Sequence, residues 1–364
     1  MADRSGIEWT DATWNPVRAR RRDGTGRVGW HCEHVSEGCR NCYAEAVNAR
    51  LGTGAPYKPA HRQDIEVFLD DKTLLAPLRW ARPRKIFLGS MTDVFADFVT
   101  DQMLDHIFAV MAACPQHTFQ LLTKRSARMR AYLRDPTAAP RIYEIVCYLV
   151  IDLDLRVVLI APGIDAKLAP PGPRVMLDVW PIPNVWLGVS AEDQATADAR
   201  IPDLLATPAT VRWVSPEPLL GALDFTRIRC PYRCVPPDYC NACAPDGADP
   251  TGTYDALASG DLHWIVTGGE SGPGARPRHP DWARSLRDQC AGAGVPFFDK
   301  QHGQWVPLAA ENEGFWPTEG DGCIRLNPDG TRGPNGWPMQ RVGKKAAGRL
   351  LDGVLHDAMP EVRP

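Results

Sequence analysis

What this 364-residue chain lacks narrows it first. It carries no strong charge of either sign, with a formal net charge of −3. The global basic footprint of a protein that coats nucleic acid is therefore absent. A local basic groove remains open, and basic residues do cluster at Arg18, Arg20, Arg21 and Arg22 and at Arg82, Arg84 and Lys85. Such runs read first as solvated faces. There is no long apolar run either. The most apolar stretch, Ile142 to Ala161, is broken by Glu144, Asp152, Asp154 and Arg156, which argues against a membrane span. The opening MADRSGIEWT has no apolar signal core, so a cytosolic location is expected. In that reducing compartment the eleven cysteines are not expected to form a disulfide framework. No internal repeat is evident.

What is present is a chain that is 44% hydrophobic, enough to bury a sizeable core. Short apolar runs alternate with helical patterns. Strands are expected at 85–89, 119–122, 185–189, 211–214, 264–267 and 295–298. Helices are expected at 100–114, with Thr100 as N-cap, and at 126–133, 193–205 and 280–293. Strands of this kind argue a parallel sheet covered on both faces. The fold class expected is α/β, a partial (β/α)6-type TIM-like barrel with a Cys-rich insertion. The expected organisation is an N-terminal segment (1–84), a barrel core (85–303) and a C-terminal extension (304–364). Pro- and Gly-rich residues 135–183 and Cys-rich residues 226–262 read as insertions. Residues 343–351 read as a terminal helix.

In barrels the chemistry sits at the C-terminal ends of the strands. Each expected strand here ends in a compact polar group. These are Ser90 to Asp93, Thr123-Lys124-Arg125, Ser190 to Asp193, Ser215 to Glu217, Gly269-Glu270-Ser271 and Asp299 to His302. Six in succession suggest a ring of ligands around one mouth.

The cysteines fall into two groups. Cys32, Cys39 and Cys42 lie within eleven residues. Structural zinc takes four ligands, and His31 or His34 could complete such a site. An iron–sulfur cluster is normally held by four cysteines. Three would leave one iron open, as a catalytic metal needs. The second group is Cys230, Cys234, Cys240 and Cys243. Four thiolates with no open position suit structural zinc, with an auxiliary iron–sulfur cluster as the alternative. Cys114, Cys147, Cys290 and Cys323 are scattered thiols. Of twelve tryptophans, Trp9, Trp14 and Trp30 flank the first group. Aromatic faces of this kind can stack unpaired bases.

The stretches IEWTDATWNP, GCRNCYAE, SMTDVF, QHTFQLLTKR, VWLGVSAEDQ, RWVSPEPLLG, VTGGESGPGARP and GKKAAGRLLDG resemble a phage and bacterial family of unknown function marked by a three-Cys motif. A three-cysteine loop feeding a β/α barrel resembles the radical S-adenosylmethionine superfamily. There the usual spacing is C-x3-C-x2-C, with an aromatic before the last cysteine. Here six residues separate Cys32 from Cys39, Asn41 precedes Cys42, and the aromatic follows as Tyr43. The LLTKR stretch is similar to the Thr-Lys element of spore photoproduct lyase, a DNA repair enzyme whose lysine binds the cofactor carboxylate.

These resemblances imply roles. Cys32, Cys39 and Cys42 would hold a 4Fe-4S cluster. Its open iron would chelate S-adenosylmethionine, and one electron from an electron donor would give a 5′-deoxyadenosyl radical. Ser90 and Asp93 would face the cofactor amino group, and Thr123 and Lys124 its carboxylate. Ser190 and Glu192 would face its ribose or methionine part. Tyr43, Glu217 and Glu270 would complete the mouth. The implied substrate is a nucleic acid base or nucleotide. The competing expectation is a non-catalytic zinc-binding protein that contacts nucleic acid or another protein.

Overall fold

The computed structural model describes residues 5–155, 157–161, 163, 172–230, 252–308 and 322–361. The chain forms two compact units. One comprises residues 1–35, 44–188 and 206–211, the other 36–43, 189–205 and 212–364.

In chain order the first unit contributes β1 (Ala12–Trp14), β2 (Val17–Arg21), β3 (Val28–Gly29), α1 (Tyr43–Leu51), β4 (Ile65–Leu69), α2 (Asp71–Leu74) and β5 (Lys85–Leu88). There follow α3 (Asp101–Ala112), β6 (Thr118–Thr123), α4 (Ser126–Leu133), α5 (Ala138–Asp152), β7 (Val158–Ile160), β8 (Arg174–Met176) and β9 (Val185–Ser190). Tyr43, the first residue of α1, and the last two residues of β9 fall in the second unit. That unit continues with α6 (Gln194–Leu205), β10 (Val211–Ser215), β11 (Ile228–Arg229), β12 (Thr253–Tyr254), β13 (Trp264–Thr267), α7 (Pro280–Ala293) and β14 (Phe297–Asp299). Its tail carries β15 (Trp305–Pro307), β16 (Cys323–Leu326), β17 (Trp337–Arg341), α8 (Lys344–Ala347), β18 (Leu350–Leu351) and β19 (Val354–Leu355).

Seven strands form one sheet in the order β1-β5-β6-β9-β10-β13-β14. The order never reverses along the chain. A doubly wound sheet would reverse at a switch point. A constant direction of winding is that of a barrel, here left open with β1 and β14 at its edges. The α/β partial-barrel class expected from sequence is the class observed. The expected six strands become seven, because β1 pairs in parallel with β5, Ala12 opposite Ile86 and Trp14 opposite Leu88. The three-Cys stretch therefore lies in the connection between the first and second strands of the sheet.

Packing in the first unit follows the apolar pattern. Leu104, Ile107, Phe108 and Met111 of α3 are buried together with Trp14, Ile86, Leu88, Phe119 and Tyr132. Thr100 caps the helix by accepting from the Met103 N–H at 3.3 Å. At the other end the Asn184 side-chain amide donates to the carbonyls of Met111, Cys114 and His117 at 2.9–3.0 Å. Met111 lies in the last turn of α3, and Cys114 and His117 lie in the connection from α3 to β6. Buried Asp105 accepts from the Tyr132 hydroxyl at 2.7 Å and from Arg141 at 2.8 Å, tying α3 to α4 and α5. Residues 135–183 contain α5 and the β7–β8 pair. Among the described residues no helix is long and apolar enough to cross a membrane.

In the second unit β10, β13 and β14 pair in parallel, Trp213 opposite Trp264 and Thr267 opposite Asp299. Helix α7 starts at Pro280 after the His279 cap and ends at Gly294, whose φ of 68° suits glycine. The expected helix over 343–351 is shortened to α8. Leu350 and Leu351 pair instead with Val354 and Leu355. The Gly348 carbonyl accepts from the His302 N–H at 3.1 Å, and the Leu350 carbonyl lies 2.8 Å from the His302 ring. These non-local bonds pull the segment out of the helix. Trp9 and Trp14 are core residues rather than a stacking platform.

Candidate functional site

Within the first unit the polar strand ends organise around Asp93. Its carboxylate accepts from the Thr123 hydroxyl at 2.7 Å and from the backbone N–H groups of Lys124 at 2.9 Å and Phe95 at 3.0 Å. Arg125 lies 3.4 Å from the same carboxylate. It also donates to the Glu33 carbonyl at 3.2 Å. Burial works against the Arg125 charge, yet Asp93 and the Cys32 thiol beside it raise its pKa above the ordinary value. Ser90 bonds Asn15, the residue after β1, whose side-chain Oδ1 also accepts from the Met91 N–H at 2.9 Å. Lys124 is half-buried.

Within the second unit two carboxylates hold the segment that carries Cys39 and Cys42. Glu192 is fully buried. One of its oxygens lies 2.8 Å from Arg200 and the other accepts from the Ser36 hydroxyl at 2.8 Å. A Cβ on Gly38 would meet the Glu192 side chain at 2.3 Å, so glycine is required there. Glu270 receives four donors: the Asn41 amide at 2.9 Å, the Arg276 N–H at 2.8 Å, and the Arg276 guanidinium at 2.7 and 3.0 Å. Arg276 also donates to the Glu37 carbonyl at 2.9 Å. Burial pushes the Glu270 carboxyl up, but the hydrogen bonds from Arg276 and Asn41 outweigh it and hold it below the ordinary value. A Cβ on Gly274 would meet Asn41 at 2.7 Å. Cys39 ends a short 3-10 turn and Cys42 directly precedes α1.

The remaining candidates are distributed as follows. Ser190 is buried, and its carbonyl accepts from Arg200 at 2.8 Å. Glu217 pairs with Lys300 at 2.6 Å, its carboxylate packed on Gly268. Tyr43, the first residue of α1, is exposed. Cys230 is buried at the end of β11, and its N–H donates to the Gly252 carbonyl at 2.8 Å. Cys234, Cys240 and Cys243 lie outside the described residues. The residues missed in sequence are the partners: Asn15, Asn41, Arg125, Arg200 and Arg276. Only the Arg after LLTK and the polar residue before Cys42 were visible as signals.

Cys32, Cys39 and Cys42 are half-buried and outside any disulfide. Cys32 belongs to the first unit and the other two to the second. Among the described residues no group of three or more His, Cys, Asp or Glu side chains is gathered closely enough to hold a metal ion. His34 lies 2.9 Å from Glu45. His31 is buried against Tyr57 and Phe98, 3.7 Å from Glu33, and burial holds its pKa below the ordinary value.

Fold and site define an α/β protein with a singly wound parallel sheet, in which strand-end carboxylates anchor a cysteine-bearing segment. The chain belongs to the family described as protein of unknown function (DUF5131), whose match runs over residues 4–360. No curated protein matches it. Among solved structures, a chitinase from Rhizomucor miehei is similar at 12% identity and a TM-score of 0.20, covering 71% of this chain and 72% of that one. That similarity is too distant to inform on fold or function.

Proposed function

We propose that this protein is a radical S-adenosylmethionine-type iron–sulfur enzyme acting on a nucleic acid base or nucleotide. One observation carries the proposal: the segment bearing Cys39 and Cys42, neither of them in a disulfide, is fastened to two strand-end carboxylates, Glu192 and Glu270. Cys32, Cys39 and Cys42 would hold the cluster. When bound, that cluster with its cofactor supplies a carbon-centred radical able to abstract hydrogen.

The chain's own residues have separable tasks. Asp93 fixes Thr123 and the Lys124 backbone, and a lysine held at this turn suits a cofactor carboxylate. Glu192 and Glu270, spent on Arg200, Ser36, Arg276 and Asn41, orient the cysteine segment rather than bind cofactor directly. Glu217 with Lys300 presents a charge pair for substrate or cofactor. In the second cysteine group, Cys230 with Cys234, Cys240 and Cys243 would hold structural zinc, or an auxiliary cluster.

The competing proposal is a zinc-binding protein without catalysis. It is favoured by His31, whose two ring nitrogens are buried without a hydrogen-bond partner directly beside Cys32. Anaerobic reconstitution with iron and sulfide, followed by metal analysis and electron paramagnetic resonance, separates the two. The expected result is a reduced-cluster signal that shifts on adding S-adenosylmethionine, with 5′-deoxyadenosine formed. Cys39→Ala should abolish that signal and leave any zinc at Cys230–Cys243 in place. Zinc at both sites, no cluster and no cofactor response would exclude the enzyme.

A further inference from the structure

The antiparallel β3-β2-β4 ribbon has one face turned inward and one outward. Val17, Ala19 and Ile65 are buried, and Ala19, Ala55, Ile65 and Val67 pack together. Strand alternation puts Arg18 and Arg20 on the opposite face, across from Phe68 and Glu66 in register. Exposed Arg22 continues the row beyond β2, its Nε on the Ile65 carbonyl at 2.8 Å. Two of these guanidinium groups lie on aromatic rings, Arg18 on Trp30 at 4.4 Å and Arg20 on Phe68 at 4.7 Å. Trp30 stands two residues before Cys32.

The carboxylates nearby do not cancel this row. Glu66 lies 3.3 Å from Arg20, with both side chains about half exposed, a pairing worth little in water. Asp70 faces Arg18 but is engaged in capping α2 through the Thr73 N–H. Asp23 pairs with Arg21 at the tip. Exposed Arg27 adds a further cation.

We propose that this face docks single-stranded nucleic acid, the arginines meeting phosphates and the Arg-on-aromatic stacks meeting bases. Guanidinium groups held flat on rings suit a partner with both charge and planar faces. An acidic peptide would use only the charge. The proposal deepens the reading above by giving a nucleic acid substrate a place to lie, leading toward Cys32. Its test needs no cluster.

Fluorescence anisotropy of a labelled single-stranded oligothymidylate is measured on the protein as purified, without cluster reconstitution, across a salt series. Arg20 and Arg22 are exposed, so R20Q/R22Q should keep its thermal unfolding midpoint. It should bind roughly tenfold more weakly, with a log–log salt slope shallower by about 1.4. Phe68→Leu should weaken binding roughly tenfold with the slope unchanged. Unaltered binding in R20Q/R22Q would overturn the proposal. So would polyglutamate competing as well as the oligonucleotide at equal charge, or a duplex competing better. Oligonucleotide binding without any cluster assembly would leave this face standing and sink the enzyme. Cluster assembly without oligonucleotide binding would do the reverse.

Discussion

Glu270 gathers four hydrogen bonds onto one carboxylate, and three of them fall on the same oxygen. Glu270→Gln keeps the shape but removes the charge opposite Arg276. It should destabilise the protein by about 2 kcal/mol in urea unfolding, the scale of a charged hydrogen bond. Cys39 and Cys42 should also be alkylated faster, because Asn41 and Arg276 lose the charged acceptor that holds the cysteine segment. An unchanged alkylation rate would mean that Glu270 braces the unit without positioning the cysteines. The pH dependence has a definite sign. A carboxyl held below its ordinary value of 4.5 contributes stability that is present above that pH and lost as pH falls through the depressed folded value. The stability gap between wild type and Glu270→Gln should therefore close on acidification below 4.5. Asp93 plays the corresponding part in the first unit, and Asp93→Asn should slacken the Thr123-Lys124-Arg125 turn.

Helix α3 is terminated by chemistry at both ends. Thr100→Ala removes the N-cap and should cost about 1 kcal/mol. Asn184 is remote in sequence and serves the Met111 carbonyl in the last turn and the Cys114 and His117 carbonyls beyond it. Asn184→Leu should cost about 2 kcal/mol, because the carbonyls it leaves are partly buried. Urea unfolding of the two single variants checks both values. Equal effects would mean that the amide contributes no more than an ordinary cap. Helix α7, with Pro280 at its start and Gly294 at its end, carries its limits in its own sequence.

At the scale of the molecule, the C-terminal segment is part of the second unit rather than an appendage. The Trp264 indole donates to the Ala358 carbonyl at 2.9 Å and the Asp299 N–H to the His356 carbonyl at 2.9 Å. Arg349 reaches the Asp299 carbonyl. Beneath them Arg278 and Asp299 form a buried bidentate pair at 2.6 and 3.0 Å, with His302 alongside. Deleting residues 344–364 should leave the Trp264 indole and the Asp299 N–H without these acceptors. The truncated protein should lose its cooperative thermal transition. Arg278→Ala strands a buried carboxylate and should cost about 3–5 kcal/mol. A truncated chain that melts like the full one would show the tail to be dispensable.

The sequence by itself determined what depends on neighbours along the chain. Helices 126–133 and 280–293 and the strand 264–267 were legible to the residue. Apolar spacing, prolines and glycines act locally, and a strand buried on both faces must be an uninterrupted apolar run. The polar groups ending those strands were legible for the same reason. β1 was not, because Ala12-Thr13-Trp14 is too short to carry a period and becomes a strand only by pairing with β5. The helix expected over 343–351 yielded to hydrogen bonds from His302 that no local pattern announces. The partners of Asp93, Glu192 and Glu270 were likewise decided by tertiary structure. A carboxylate at a strand end can meet a ligand, a cation or a backbone amide. Which it meets depends on what the fold brings within 3 Å, and for Glu270 that is Arg276 and Asn41.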